Sequence, residues 1–217
     1  MRYKCLVVDH DDTAVDSTAD IHHPIYVELM AELRPEVEPV GVDGFIDLNQ
    51  KKSIRRHYVQ DLGFSESEWE YAFNFWKNHE LRGHIPKFYD GFIDLLRRHS
   101  EKGGIVAVVS HSDEEAITMH YDTTGFIPDV IFGAQKDGSK NKPNAWPLEK
   151  IMGQYGIDAE NIAVVDDLMP GIEMANSIGA YALGAGWAHD NTDNFKRQCN
   201  HYFDTIKDLE EHLFSER

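Results

Sequence analysis

Residues 5–13 read CLVVDHDDT, and this stretch decides how the rest of the chain is interpreted. Four apolar residues stand in an unbroken row and give way at once to Asp9, His10, Asp11, Asp12 and Thr13. An unbroken apolar row suits a strand covered on both faces, whereas a strand with one wet face would alternate. Rows of the same kind recur at residues 105–109, 130–132 and 162–165, with helix-like segments between the last three. A fifth, 180–183, follows the helix-like GIEMANSIG, and residues 206–214 read as a closing helix. This rhythm predicts an α/β fold, a doubly wound parallel sheet.

The rhythm breaks between about Ser17 and Pro86. That region is helix-prone: Pro24 suits a first helical turn, and Ser65 with Glu68 has the spacing of a capping box ahead of WEYAFNFWKNHEL. The turn signals RPEVEP, GVDG and LGFSES cut it into several helices. Trp69, Phe73 and Trp76 recur at helical spacing and read as its core. The expected organisation is a core domain of residues 1–16 and 87–217 with an α-helical insertion at 17–86.

Charge and composition exclude several classes of function. In 217 residues, 21 Lys and Arg stand against 38 Asp and Glu, a formal net charge of −17. Such a chain repels phosphate backbones and anionic lipid, so no nucleic-acid or membrane partner is expected. A hydrophobic fraction of 41% with 11% aromatics excludes a disordered chain. Cys5 and Cys199 are far apart and lack zinc-ligand spacing, so neither a disulfide framework nor a zinc site is expected, and the compartment is read as reducing, the cytoplasm. The opening MRYKCLVVDHDD has too short an apolar run for a signal peptide, and no stretch reaches spanning length.

In open α/β sheets, ligands collect beyond the carboxyl ends of the strands. The residues there are unusually polar: Asp9, Asp11, Asp12 and Thr13 after the first apolar row, Ser110, His111 and Ser112 after the second, Asp166 and Asp167 after the fourth. Lys142-Pro143 precedes the helix that leads into the fourth row. Clustered carboxylates repel one another and call for a cation, and an all-oxygen donor set with room for water suits Mg²⁺. Ser110 at a helix start and Lys142 add donors for an anion, which completes the parts needed to hold a phosphoryl group. Each residue also has a plainer reading. Asp9 and Asp11 could form an acidic turn, Asp166 and Asp167 or Ser110 could cap helices, Ser112 could form a capping box with Glu115, and Lys142 could be a solvated loop lysine.

The ordered set LVVDHDDT, VVS, KP and VVDDLMPGIEMANSIGA resembles the four motifs of the haloacid dehalogenase superfamily, and the helical insertion resembles that superfamily's helical cap. The resemblance implies that Asp9 is a nucleophile forming an aspartyl-phosphate and that Asp11 is the general acid and base. It implies Mg²⁺ held by Asp9, the Asp11 backbone carbonyl and Asp167, with Asp166 direct or through water. Ser110 and Lys142 would bind the transferring phosphoryl group. His10, His111, Arg55 and Arg56 are candidate substrate contacts, the two arginines belonging to the basic run KKSIRRH, where Lys51 and Lys52 stand four residues earlier. A solvated helix face reads that run equally well. His22 and His23 before the first inserted helix, and Trp187 and His189 in GAGWAHDN, are weaker candidates for pocket positions.

Two positions depart from the superfamily pattern: Asp12 stands where Gly is common, and His10 where an apolar or aromatic residue is usual. The implied activity is a Mg²⁺-dependent phosphatase acting on a small phosphorylated metabolite, as a monomer or small homo-oligomer. A sugar phosphomutase would use the same residues. A receiver-like phospho-acceptor is disfavoured by motif order, and a dehalogenase by the presence of Asp11.

Overall fold

The computed structural model describes residues 1–51, 54–80 and 84–215. The chain divides into two compact units, Met1–Asp16 with Lys87–Arg217, and Ser17–Pro86. It runs through β1 (Cys5–Val8) and β2 (Val15–Asp16) into α1 (His23–Leu33), α2 (Val42–Lys51), α3 (Ile54–Arg56) and α4 (Glu66–Glu80). It then continues through β3 (Lys87–Phe88), α5 (Phe92–Glu101), β4 (Ile105–Val109), α6 (Glu114–Asp122), β5 (Val130–Phe132) and α7 (Trp146–Tyr155). The last elements are β6 (Ile162–Asp166), α8 (Met169–Ile178), β7 (Tyr181–Ala185), α9 (Asp193–Gln198), β8 (His201–Phe203) and α10 (Ile206–Phe214).

Six strands form one parallel sheet in the order β5-β4-β1-β6-β7-β8. Its central strands β1, β4 and β6 are apolar up to their carboxyl ends because both faces are covered. Leu6, Val8, Val106 and Val108 face a cluster completed by Phe92, Leu95 and Leu96 of α5, Ile117 and Tyr121 of α6, and Leu209 and Leu213 of α10. Cys5, Val7, Ala107 and Val109 face the opposite way, onto Leu148 and Ile151 of α7, Ile172 and Ala175 of α8, and Phe195 of α9. The expected α/β doubly wound sheet is therefore present. It has one strand more than the five apolar rows suggested, because β8 is only three residues, HYF, at the sheet edge. The two-residue β2 and β3 pair antiparallel, Val15 opposite Phe88 and Asp16 opposite Lys87, where the chain leaves and re-enters this unit.

Register places the chemistry. Val8 lies opposite Val108 on one side and Val165 on the other, and the Asp9 N–H continues the ladder by donating to the Val165 carbonyl at 2.9 Å. Asp9, Ser110 and Asp166 thus emerge side by side at the carboxyl edge.

Near the end of α5, on the same face as Phe92, Leu95 and Leu96, His99 is wholly enclosed. Burial pulls its imidazole down from 6.5 to about 4. The unfolded chain therefore takes up a proton that the folded chain refuses, so stability falls as pH drops from about 6.5 and the loss saturates near pH 4. The expected loss is about 3 kcal/mol from this group. Urea melts at pH 7 and pH 4.5 should show it, with a smaller drop in His99→Phe; an equal drop in both proteins would contradict the assignment.

The helical unit has its own core of Ile25, Tyr26, Leu29 and Met30 from α1, Phe45 from α2, and Ala72 and Phe75 from α4, joined by Tyr58 and Phe64. Trp69 and Trp76 pack against it from partly buried positions. The Ser65 hydroxyl accepts from the Glu68 N–H at 3.2 Å while Glu68 accepts from the Ser65 N–H at 2.8 Å, the reciprocal capping box. Among the described residues no helix is long and apolar enough to cross a membrane.

Candidate active site

At the carboxyl edge of β1, β4 and β6 a lysine sits among buried carboxylates. Lys142 Nζ lies 2.7 Å from Asp9 Oδ1 and 2.7 Å from Asp166 Oδ2, and all three side chains are almost fully buried. Asp166 also accepts from the Leu168 N–H at 2.9 Å, and Asp167 stands next to it on the chain. Asp9, Asp166 and Asp167 each offer a carboxylate oxygen within 4.8 Å of the other two. Burial pushes the Asp166 carboxyl up to about 7, with Asp9 adding repulsion and Lys142 opposing it. Asp167 is raised well above the carboxylate range by burial first and then by Asp9, Asp166 and Asp12. For Lys142, burial disfavours the charge, but Asp166 and Asp9 outweigh it and the group ends above the usual lysine range.

The helix after β6 can approach this cluster only because of Gly171. A Cβ there would overlap the Asp166 carboxylate. Gly171→Ala is accordingly expected to cost about 1–3 kcal/mol by overpacking, measured by urea denaturation, whereas wild-type stability would contradict this packing.

Asp11 is held by two hydroxyls. Ser112 Oγ donates to its Oδ2 at 2.5 Å and Ser110 Oγ at 3.3 Å, while Ser110 Oγ accepts from the Ser112 N–H at 3.1 Å. Ser112 is therefore not the cap of the following helix. That role falls to Asp113, which accepts from the Glu115 N–H at 3.0 Å. The turn after Asp11 puts Asp12 at φ +57°, in the left-handed region. This region favours glycine, and Asp is among the side chains that tolerate it. Asp12 also groups with Asp167 and His189, whose Nε2 is 3.6 Å from Asp167 Oδ2.

The remaining candidates are placed as follows. His111 is exposed and its Nε2 donates to the Lys142 carbonyl at 3.0 Å, tying the lysine loop to the end of β4. His10 is fully enclosed, 2.9 Å from His120 Nδ1 and packed near Phe88 and Tyr121, so it is not part of any surface. Arg55 and Arg56 are exposed in the helical unit, Arg55 lying over the Trp69 ring and Arg56 donating to Gln60 Oε1 at 2.7 Å. Lys52 falls outside the described residues. His22 stacks on Trp76, and His23 donates to the Val40 carbonyl at 2.8 Å. Residues with no assigned role in the sequence reading also hold the cluster: Thr13 Oγ1 donates to Asp167 Oδ1 and Asn191 Nδ2 to the Asp167 carbonyl, both at 2.7 Å. Their signal was position alone, since both lie in the polar loops at the carboxyl edge.

The donor set fits Mg²⁺. It is all oxygen and buried, and the repulsion that raises the Asp166 and Asp167 carboxyls is what a divalent cation would relieve.

Residues 6–185 match the model of the haloacid dehalogenase-like hydrolases. The chain belongs to this family. Solved structures of family-like fold superpose over nearly the whole chain. A predicted phosphatase of Clostridium acetobutylicum has a TM-score of 0.80 at 14% identity, covering 100% of both chains. A predicted phosphoglycolate phosphatase of Haemophilus somnus has 0.74 at 16%, covering 98% of this chain and 99% of that one. CbbY of Rhodobacter sphaeroides, in complex with phosphate, has 0.69 at 16%, covering 95% and 96%. At such identities the likeness concerns the fold. No match is found among curated proteins.

Proposed function

We propose that this haloacid dehalogenase-like hydrolase is a Mg²⁺-dependent phosphatase that acts on a small phosphomonoester through an aspartyl-phosphate. The observation that carries the reading is the meeting of Asp9, Lys142, Asp166 and Asp167 at one strand edge, with Asp11 two residues from Asp9. Ser110, Ser112 and Lys142 supply donors beside these carboxylates, an arrangement suited to a phosphoryl group.

In this mechanism an Asp9 carboxylate oxygen attacks phosphorus, the ester P–O bond breaks, and Asp11 gives its proton to the departing alkoxide oxygen. Asp11, now a carboxylate, takes a proton from water as that water attacks the phosphorus. The Asp9–phosphorus bond breaks, and inorganic phosphate leaves. Lys142 pairs with Asp9 at 2.7 Å and offsets the charge of the incoming dianion. Ser110 and Ser112 orient Asp11 in the resting state, and the Ser110 hydroxyl can turn to the phosphoryl oxygens. Bound Mg²⁺, held by Asp9, the Asp11 backbone carbonyl and Asp167, with Asp166 direct or through water, would neutralise the phosphoryl oxygens and screen them from the surrounding carboxylates. A soluble phosphorylated metabolite fits the acidic protein surface better than a polyanion does.

The test is release of inorganic phosphate from a chromogenic ester and a panel of phosphorylated metabolites, with Mg²⁺ and with excess chelator. Sustained turnover that stops on chelation is expected. Full activity in chelator would remove the metal from the account, and a single phosphorylation without release would favour a phospho-acceptor.

A further inference from the structure

Asp167 crowds against Asp9, Asp166 and Asp12, and repulsion among them would turn its carboxylate away unless donors held it. Two chains of hydrogen bonds reach it from the segment after β7. Along the first, the Trp187 indole N–H donates to the Thr13 carbonyl at 3.0 Å, and the Thr13 hydroxyl donates to Asp167 Oδ1 at 2.7 Å. Along the second, the Tyr202 hydroxyl donates to Asn191 Oδ1 at 3.3 Å, and Asn191 Nδ2 donates to the Asp167 main-chain carbonyl at 2.7 Å. Asp167 lies between the end of β6 and the start of α8, and the buried Asn191 supplies a donor to its carbonyl. Gly186 makes room for this arrangement, because the Tyr202 hydroxyl occupies the place its Cβ would take.

We infer that Trp187 and Asn191 are positioning residues for Asp167. Trp187 acts through Thr13 on the direction of the carboxylate, and Asn191 acts on the backbone from which that carboxylate projects. Together they set the affinity of the site for its divalent cation. The inference rests on the proposed role of Asp167 as a Mg²⁺ ligand. The Trp187 ring also packs near Phe92, but its N–H adds a directed contact to the Thr13 carbonyl that packing does not require.

The experiment uses the full chain and the variants Trp187→Phe, Asn191→Ala and Tyr202→Phe. Calorimetric titration with MgCl₂ gives Kd, thermal melts without metal give the stability of the empty protein, and turnover of a chromogenic ester gives kcat and KM. Outer partners of metal ligands change affinity by about 10–100-fold, so a rise in Kd of about tenfold is expected for Trp187→Phe and Asn191→Ala. Tyr202→Phe, one bond further away, should move less. At saturating Mg²⁺ kcat should return toward wild type, and KM for the ester should stay put. Should Asn191→Ala fail to fold, Trp187→Phe and Tyr202→Phe decide the matter. Wild-type Mg²⁺ affinity in these variants would overturn the inference alone. A wild-type chain that neither takes up Mg²⁺ nor turns over the ester would overturn the proposed function and the inference with it.

Discussion

Asp9→Asn is expected to lower turnover by on the order of 10⁴-fold or more, because an amide nitrogen or oxygen cannot replace the carboxylate that attacks phosphorus. The amide has nearly the shape of the acid and Asp9 is almost fully buried, so the fold should survive, with the Lys142 ion pair to Asp166 intact. Asp11→Asn provides the contrast. Its side chain would keep the Ser110 and Ser112 contacts but lose the proton it shuttles, a loss of roughly 10²-fold or more in both steps. Phosphate release from a chromogenic ester under saturating Mg²⁺ measures both variants. Near-native rates in Asp9→Asn would end the account.

Lys142→Met should damage stability and catalysis together. Removing one partner of a buried ion pair costs about 3–5 kcal/mol, and here the ammonium serves both Asp9 and Asp166. The sign of the pH dependence follows from the carboxyls. Asp166 titrates at about 7 in the folded protein and Asp167 well above its usual range, so each favours the folded state when protonated and loses that contribution as pH rises through its folded value. Without Lys142 the Asp166 carboxyl is pushed higher still. The penalty should therefore be smaller near pH 5 than at pH 8.5, above the wild-type Asp166 value of about 7, in urea melts with chelator present. Turnover should drop by about 10²–10³-fold, the range seen when a donor to developing charge is removed. An equal stability loss at both pH values would show that Lys142 acts through packing rather than charge.

Much of this architecture was legible in the sequence because each central strand is an apolar row that ends abruptly in polar residues. The rows at 5–8, 105–109 and 130–132 are strands over those same residues, and Asp166 continues the row at 162–165. Continuous rows betray strands buried on both faces. β8 and the β2–β3 ribbon escaped because two or three residues carry no period, and their pairing depends on partners distant in sequence. Which carboxylates could meet was readable from strand ends. Which donors hold them was not: Ser112 looked like a helix cap, and only the three-dimensional turn shows its hydroxyl on Asp11. Asn191 and Trp187 sat in a loop whose position was evident but whose contacts were not. His10 shows the limit from the other side, since it stood among the candidate substrate contacts and the alternation of β1 carried it inward onto His120.

The most direct test is to stop the reaction with acid during turnover and locate the phosphoryl group by mass spectrometry of the digested chain. A phosphoryl group on the peptide bearing Asp9, absent from Asp9→Asn and present only when Mg²⁺ is supplied, is the expected result. Steady release of phosphate with no phosphoryl group on Asp9 at any time, or with the group on a serine or histidine instead, would contradict it.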